Sequence, residues 1–424
     1  MIEITPIKKL DAEISMPGSK YIANRLLIIC ALADGTSVLS NAPNNDDINN
    51  AIAALRNFGV EIKKIKNSLI IKGTKGKLKQ TKKEIDVGDS GTLLRFIIGI
   101  AALAEGQTKI FGSKRICERP IQNLLDSLHD LGIKIESLND GCAPLIIHGG
   151  TFKGGTAKIS GNVSSQFISS LLLIAPFAQK DVEIIVEGNL VSRGYVDLTI
   201  DLMKKAGIDI KRKGYKQFKI KSRQIYKQVK IDIPADWASA NYFLAAAAIM
   251  PGIIRIRNIN MQSNQPESQF VNVLKKIGCS IKVKNESLTV KGPKILSAVE
   301  ADMSTMPDSV QTLCAVALFS RGTTKITGIS NLKYKESDRI NDTAKELRKL
   351  GADIVINKDS LAIRNNKVNP AVIDPHNDHR MAMSLALVGL KIRGIKINQP
   401  ECVSKSFPGF WNKMKEVGIK IKNV

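Results

Sequence analysis

Residues 55–62, Leu-Arg-Asn-Phe-Gly-Val-Glu-Ile, decide the fold, because the chain repeats their pattern six times. The later copies are LHDLGIKI (128–135), MKKAGIDI (203–210), LKKIGCSI (274–281), LRKLGADI (347–354) and MKEVGIKI (414–421). Each copy is the end of a helix, a glycine that closes it in the left-handed conformation, and the alternation of a half-buried strand. The six glycines, Gly59, Gly132, Gly207, Gly278, Gly351 and Gly418, recur at intervals of 67 to 75 residues. A steady period marks a repeat architecture.

A second series runs out of phase with the first. Its members are the apolar segments 26–33, 96–104, 167–178, 242–250, 312–319 and 382–390. Each is shorter than the roughly 20 apolar residues that span a membrane, so each reads as a buried core helix. A strand-like lead precedes each one: AEISMPGSK (12–20), KEIDVGDSG (83–91), AKISGNVSS (157–165), VKIDIPADW (229–237), AVEADMSTMPDS (298–309) and AVIDPHNDH (371–379). One repeat is therefore strand, buried helix, strand, amphipathic helix and two strands. The expected fold is α/β, two domains each of three βαβαββ-like repeats. The expected bounds are 15–226 for one domain and 227–424 with 1–14 for the other. Residues 1–14 read as a strand that crosses over to complete the sixth repeat. Two crossings imply a ligand cleft between the domains.

The formal charge of +24 points to anionic partners. Aromatic residues are only 5%, and no basic stretch interleaves them in the manner of single-strand binding, so nucleic acid is not expected. Small anionic molecules are. Six cysteines without CxxC spacing suit free thiols in a reducing compartment, so a cytoplasmic monomer is expected. The opening MIEITPIKKLDAEI reads as strand rather than as an apolar export segment. There is no Walker A loop, no GxGxxG and no metal-ligand spacing, so neither cofactor nor metal is expected.

Polar residues gather where the repeat helices begin. Ahead of the buried helices stand Ser19-Lys20 with Asn24-Arg25, Asp89-Ser90-Gly91-Thr92 with Arg95, Ser164-Ser165-Gln166, Asp236, Asp308, and His376 to Arg380. Ahead of the amphipathic helices stand Glu118-Arg119-Pro120, Ser192 with Tyr195, Lys335 to Arg339, and Lys405-Ser406. Helix capping accounts for Asp46, Asp47, Asp236 and Ser309. It does not account for Lys20, Arg25, Arg119, Arg339, Arg380 and Lys405, because a cation there opposes the helix dipole. An anion bound at those helix starts would justify them.

These stretches together resemble one known family. PGSKxxxNR (17–25), GxSGTxxR (88–95), KRICERPI (114–121), SSQF (164–167), LVSRGY (190–195), MPDS (306–309), NLKYKESDR (331–339), NDHRMAMSLALV (377–388) and KSFPGF (405–410) resemble, in order, the 3-phosphoshikimate 1-carboxyvinyltransferases, or EPSP synthases. The resemblance implies an inside-out α/β barrel in each domain. It also implies transfer of the enolpyruvyl group of phosphoenolpyruvate to the 5-hydroxyl of 3-phosphoshikimate. By motif, Lys20 lies between the substrates, and Arg25 meets the acceptor's carboxylate. Ser164, Ser165 and Ser192 cradle the acceptor's phosphate, Asn331 lies on that phosphate's side, and Gln166 and Tyr195 lie against its ring. Asp308 and Lys335 are implied on its hydroxyls. Gly91, Arg119, Arg339, Arg380 and Lys405 are implied around phosphoenolpyruvate, with Asp89 and Gln166 at its edge. Asp308 and Glu336 are implied as base and acid, with Lys20 assisting.

Three positions depart from the family pattern. Tyr21 stands where the motif has serine beside the acceptor, Asp89 stands for asparagine, and Gly194 for proline. The sister family, the UDP-N-acetylglucosamine enolpyruvyl transferases, carries a cysteine five residues before its Arg-Pro; here that place is Lys114. A basic RNA-binding protein on similar repeats has only the net charge in its favour.

Overall fold

All six repeat glycines stand left-handed, with φ between 83 and 108°. The residue after each glycine donates its N–H back into the helix, closing the same six-residue loop every time. Val60 bonds to the Leu55 carbonyl at 3.2 Å, Ile133 to Leu128 at 3.0 Å and Ile208 to Met203 at 3.0 Å. Cys279 bonds to Leu274 at 3.0 Å, Ala352 to Leu347 at 3.1 Å and Ile419 to Met414 at 3.0 Å. This is the Schellman closure, which satisfies a carbonyl that the helix end would otherwise orphan. An alanine at any of these positions would carry the left-handed strain that glycine avoids.

The computed structural model describes residues 1–424 and divides into two units. The N-terminal unit is Gly18–Ile233; the C-terminal unit is Met1–Pro17 with Pro234–Val424. The first holds α1 (Lys20–Leu32), α2 (Asp46–Asn57), α3 (Gly91–Leu103), α4 (Gln122–Asp130), α5 (Ser165–Ile174) and α6 (Gly194–Lys205). The second holds α7 (Trp237–Ile249), α8 (Phe270–Ile277), α9 (Val310–Ala317), α10 (Asn341–Lys349), α11 (His379–Ala386) and α12 (Phe410–Glu416).

Each repeat makes one four-stranded sheet with the same internal order. The lead strand runs parallel to the strand that follows the buried helix, and a closing hairpin continues the sheet antiparallel. In the third repeat these are Gly155–Ser160, Val182–Glu187, Gln217–Ile220 and Ile210–Lys213, with Lys158 opposite Ile185. The odd-numbered helices are the apolar ones. Within the N-terminal unit α3 packs on α5 and both touch α1, while within the C-terminal unit α9 packs on α7 and α11. All thirteen residues of α7 are buried. Burying one large apolar side chain contributes about 1.5–3 kcal/mol, so these helices anchor each unit. No helix is long and apolar enough to cross a membrane.

Two of the six leads join a sheet other than the expected one. Leu10–Ile14 precedes the first buried helix, yet it pairs with Gly252–Ile256 of the fourth repeat, Leu10 opposite Gly252 and Ile14 opposite Ile256. Lys230–Asp232 precedes the fourth buried helix, yet it pairs with Thr36–Ser40 of the first, Lys230 opposite Val38. The chain passes from one unit to the other directly after each of these strands. The unit bounds therefore fall at 17/18 and 233/234, not at 14/15 and 226/227. Residues 1–14 form two strands rather than one. Ile2–Thr5 lies between Ile395–Ile397 and Lys420–Asn423 and supplies the hairpin strand that the sixth repeat lacks.

Candidate active site

In the C-terminal unit, the starts of α9, α10 and α11 and the 3₁₀ turn Pro400–Lys405 ahead of α12 bring three carboxylates and three cations together. Arg339 is 1% exposed and donates in three directions. Its Nη1 meets Asp308 Oδ1 at 2.8 Å, its Nη2 meets Glu336 Oε2 at 2.8 Å, and its Nε meets Asp378 Oδ2 at 2.6 Å. Arg380 Nη2 reaches the other Asp308 oxygen at 3.1 Å, and its Nη1 donates to the Tyr242 hydroxyl at 3.0 Å. Lys405 Nζ meets Glu336 Oε1 at 2.5 Å. Burial opposes the Arg339 charge, but Asp378, Glu336 and Asp308 outweigh it and hold the guanidinium pKa above its ordinary value. Burial likewise pushes the Tyr242 hydroxyl up to about 12, although Arg380 pulls the other way. Asn331 is buried on the 3₁₀ turn Ser330–Tyr334, and Lys335 follows it half-buried.

Asp378 is the residue that sequence reasoning passed over. It is fully buried, caps α11 by accepting from the Arg380 N–H at 2.9 Å, and takes the Arg339 Nε on its other oxygen. Its position at a helix start reads as a cap, and it is one; both of its oxygens also accept from Arg339, Oδ1 from Nη2 at 3.3 Å. Tyr242 was hidden for a different reason, since it lies inside the apolar run of α7.

In the N-terminal unit the cations meet mostly neutral groups. Arg25 is buried on α1 and donates through Nε to Thr199 Oγ1 at 2.7 Å. Its other bonds reach the carbonyls of Tyr21 at 2.9 Å and Tyr195 at 3.2 Å, with Ser169 Oγ at 3.5 Å. Its guanidinium also lies 5.4 Å from the Phe96 ring centre and 5.7 Å from that of Tyr195. Burial pushes its pKa down to about 10, against Tyr195 and Tyr21, which favour the charge. Lys20 has a carboxylate partner, Asp47 Oδ2 at 2.9 Å, on the first turn of α2.

Tyr21, the departure from serine, is buried and tilts against Tyr195 with ring centres 5.0 Å apart. Arg119 is buried, and its guanidinium crowds Gly91 so closely that a Cβ there would lie 2.5 Å from Nη1. A side chain at that position would have to displace the guanidinium. Asp89 is half-buried and accepts from the Ser113 hydroxyl, so that carboxylate already has a neutral donor. Ser164 caps α5 through the Gln166 N–H at 3.2 Å, and the Gln166 amide reaches Thr92 Oγ1 at 3.0 Å. Ser165 is buried beside it, and Ser192 is buried at a left-handed φ of 52° just ahead of α6.

Two capping expectations change. The cap of α2 is Asn45, which accepts from the Ile48 N–H at 3.0 Å, while Asp46 and Asp47 lie in the first turn. Ser309 makes no cap bond; its hydroxyl accepts from Asn241 Nδ2 at 2.9 Å. No group of three or more His, Cys, Asp or Glu residues is placed to hold a metal ion.

Comparisons with known proteins agree on one family. The family model described as EPSP synthase (3-phosphoshikimate 1-carboxyvinyltransferase) matches residues 4–414. A 3-phosphoshikimate 1-carboxyvinyltransferase of Colwellia psychrerythraea is 39% identical over 422 residues, 98% of this chain and 99% of the relative. One of Methanoculleus marisnigri is 36% identical over 420 residues, 99% and 100% of the two chains. A solved structure of EPSP synthase from Acinetobacter baumannii superposes with a TM-score of 0.84 at 25% identity, covering 100% of this chain and 99% of the other.

Proposed function

We infer the reaction from membership, for the chain belongs to the EPSP synthase family: it transfers the enolpyruvyl group of phosphoenolpyruvate to the 5-hydroxyl of 3-phosphoshikimate and releases phosphate. The observation that carries the reading is the balanced cluster of Asp308, Glu336 and Asp378 with Arg339, Arg380 and Lys405. Arginine's planar fork suits a carboxylate or phosphate, and lysine supplies a point charge.

We assign Arg339, Arg380 and Lys405, with Arg119, Gly91, Asp89, Gln166 and Lys20, to phosphoenolpyruvate. The acceptor is assigned Arg25, Ser164, Ser165, Gln166, Ser192, Tyr195, Tyr21 and Lys20, with Asp308, Asn331 and Lys335. Asp308 and Glu336 each pair with these cations. A substrate phosphate or carboxylate competes for Arg339, Arg380 and Lys405 and so releases carboxylate oxygens. A released oxygen can then take the proton of the attacking 5-hydroxyl, while the partner carboxyl, with Lys20 assisting, delivers a proton to the methylene carbon of the enol. The 5-oxygen bonds to C2 of the enol, and the adduct then expels phosphate as a methyl proton returns to the carboxylate that delivered the first one. Positioned acid–base groups of this kind contribute about 10²–10⁴-fold. The protein acts on its own as a monomer in this reading.

Phosphate release with phosphoenolpyruvate and 3-phosphoshikimate, without added metal or nucleotide, is the expected result. Turnover with UDP-N-acetylglucosamine in place of 3-phosphoshikimate, and none with the latter, would overturn it.

A further inference from the structure

The fully buried carboxylate of Glu346 lies outside the reacting set, on α10. Three donors converge on it. Lys349 Nζ reaches Oε2 at 2.7 Å, the Asp374 backbone N–H reaches the same oxygen at 3.1 Å, and His376 Nε2 meets Oε1 at 3.0 Å. Two of the three come from the turn 374–378. That turn ends in Asp378, which orients Arg339, and it leads into Arg380 at the start of α11. The helix that carries Glu346 begins two residues after Arg339.

His376 and Asn377 are the centre of a tight turn that the Asp378 N–H closes on the Pro375 carbonyl at 2.8 Å. His376 and Asn377 both stand left-handed, at φ of 52 and 54°, without being glycine. Consecutive residues in that region persist only where surrounding bonds over-determine them. Besides that backbone closure, the bonds here are the Asp374 N–H and the His376 ring on Glu346, and the His376 N–H on Asp374 Oδ1 at 2.8 Å. The other charged groups around the imidazole are Asp342 and Asp374, each 3.9 Å from Nδ1.

We propose that His376, seated on Glu346, is a positioning residue for phosphoenolpyruvate: it fixes the 374–378 turn and thereby the placement of Asp378, Arg339 and Arg380. The proposal rests on the assignment of Arg339 and Arg380 to that substrate, and the test separates the two.

Steady-state phosphate release is measured for the full chain with each substrate varied in turn, alongside the thermal midpoint. His376→Ala raises KM for phosphoenolpyruvate at least fivefold, leaves KM for 3-phosphoshikimate within twofold, and His376→Gln, which keeps a donor for Glu346, recovers most of the loss. Glu346→Gln, which sets an amide N–H against three donors, shifts the same KM and serves as the test if His376→Ala does not fold. Arg380→Ala is the control. If it raises KM for phosphoenolpyruvate while the His376 and Glu346 variants lower only the thermal midpoint, the strut is overturned and the substrate assignment stands. If Arg380→Ala leaves that KM unchanged, the assignment fails, and the strut fails with it.

Discussion

The two units hold their buried cations in opposite ways. In the C-terminal unit Arg339 is matched by three carboxylates, one of them 0% exposed. In the N-terminal unit Arg25, equally buried, donates only to hydroxyls and carbonyls and lies near two aromatic faces. A buried charge paired with carboxylates costs far more to remove than one held by neutral groups. The first is part of what holds its unit together. The second is tolerated against its desolvation, which is a reason to look for the anion it serves.

The sharpest contrast comes from neutralising each in turn. Arg339→Met leaves Asp378 buried beside an apolar side chain and should cost about 3–5 kcal/mol of stability, read from denaturant midpoints. Arg25→Met removes a desolvated charge that has no carboxylate to strand, and should cost about 1 kcal/mol or less in the ligand-free protein. Equal losses in the two variants would erase the distinction between the units.

Arg119→Ala sharpens the comparison from within the N-terminal unit. Losing a charge-assisted contact to a bound anion weakens phosphoenolpyruvate binding by roughly 1.5–3 kcal/mol, tenfold to more than a hundredfold, as titration calorimetry would read. The variant also opens space above Gly91. An unchanged affinity would remove Arg119 from the phosphoenolpyruvate side.

An effect of pH should be common to both units. Burial raises the thiols of Cys30, in α1, and Cys314, in α9, to about 12. Between pH 9 and that value the unfolded chain loses protons that the folded chain keeps. These groups therefore contribute stability that is fully present below about pH 9 and is lost as pH rises toward 12. The denaturant midpoint should fall over that range, and Cys30→Ala with Cys314→Ala should flatten the slope. A slope indifferent to both substitutions would contradict the assignment of the alkaline loss to them.

What could be read in advance follows the range of each interaction. The six helix ends were legible because glycine, helix and strand alternation lie within eight residues, and all six glycines adopt the conformation their spacing implies. The exchange of Leu10–Ile14 and Lys230–Asp232 between sheets was not legible. Both leads have a strand's pattern, and nothing local to a strand names the partner it pairs with across a crossover. At the site, Arg339, Arg380 and Lys405 stood out as cations where helices begin, while Asp308 and Glu336 drew their roles from the motifs that contain them. Asp378 did not stand out, because an acid at that position is already explained as a cap, and only its bonds in the structure show the tie to Arg339.

We propose that both sets of cations are kept for substrate anions, Arg25 for the acceptor and Lys405 for phosphoenolpyruvate. Steady-state phosphate release on Arg25→Met and Lys405→Met, with each substrate varied in turn, tests it most directly. Arg25→Met should raise KM for 3-phosphoshikimate at least tenfold and leave that for phosphoenolpyruvate within threefold; Lys405→Met should do the reverse. Equal rises in both constants for either variant, or no rise at all, would contradict it.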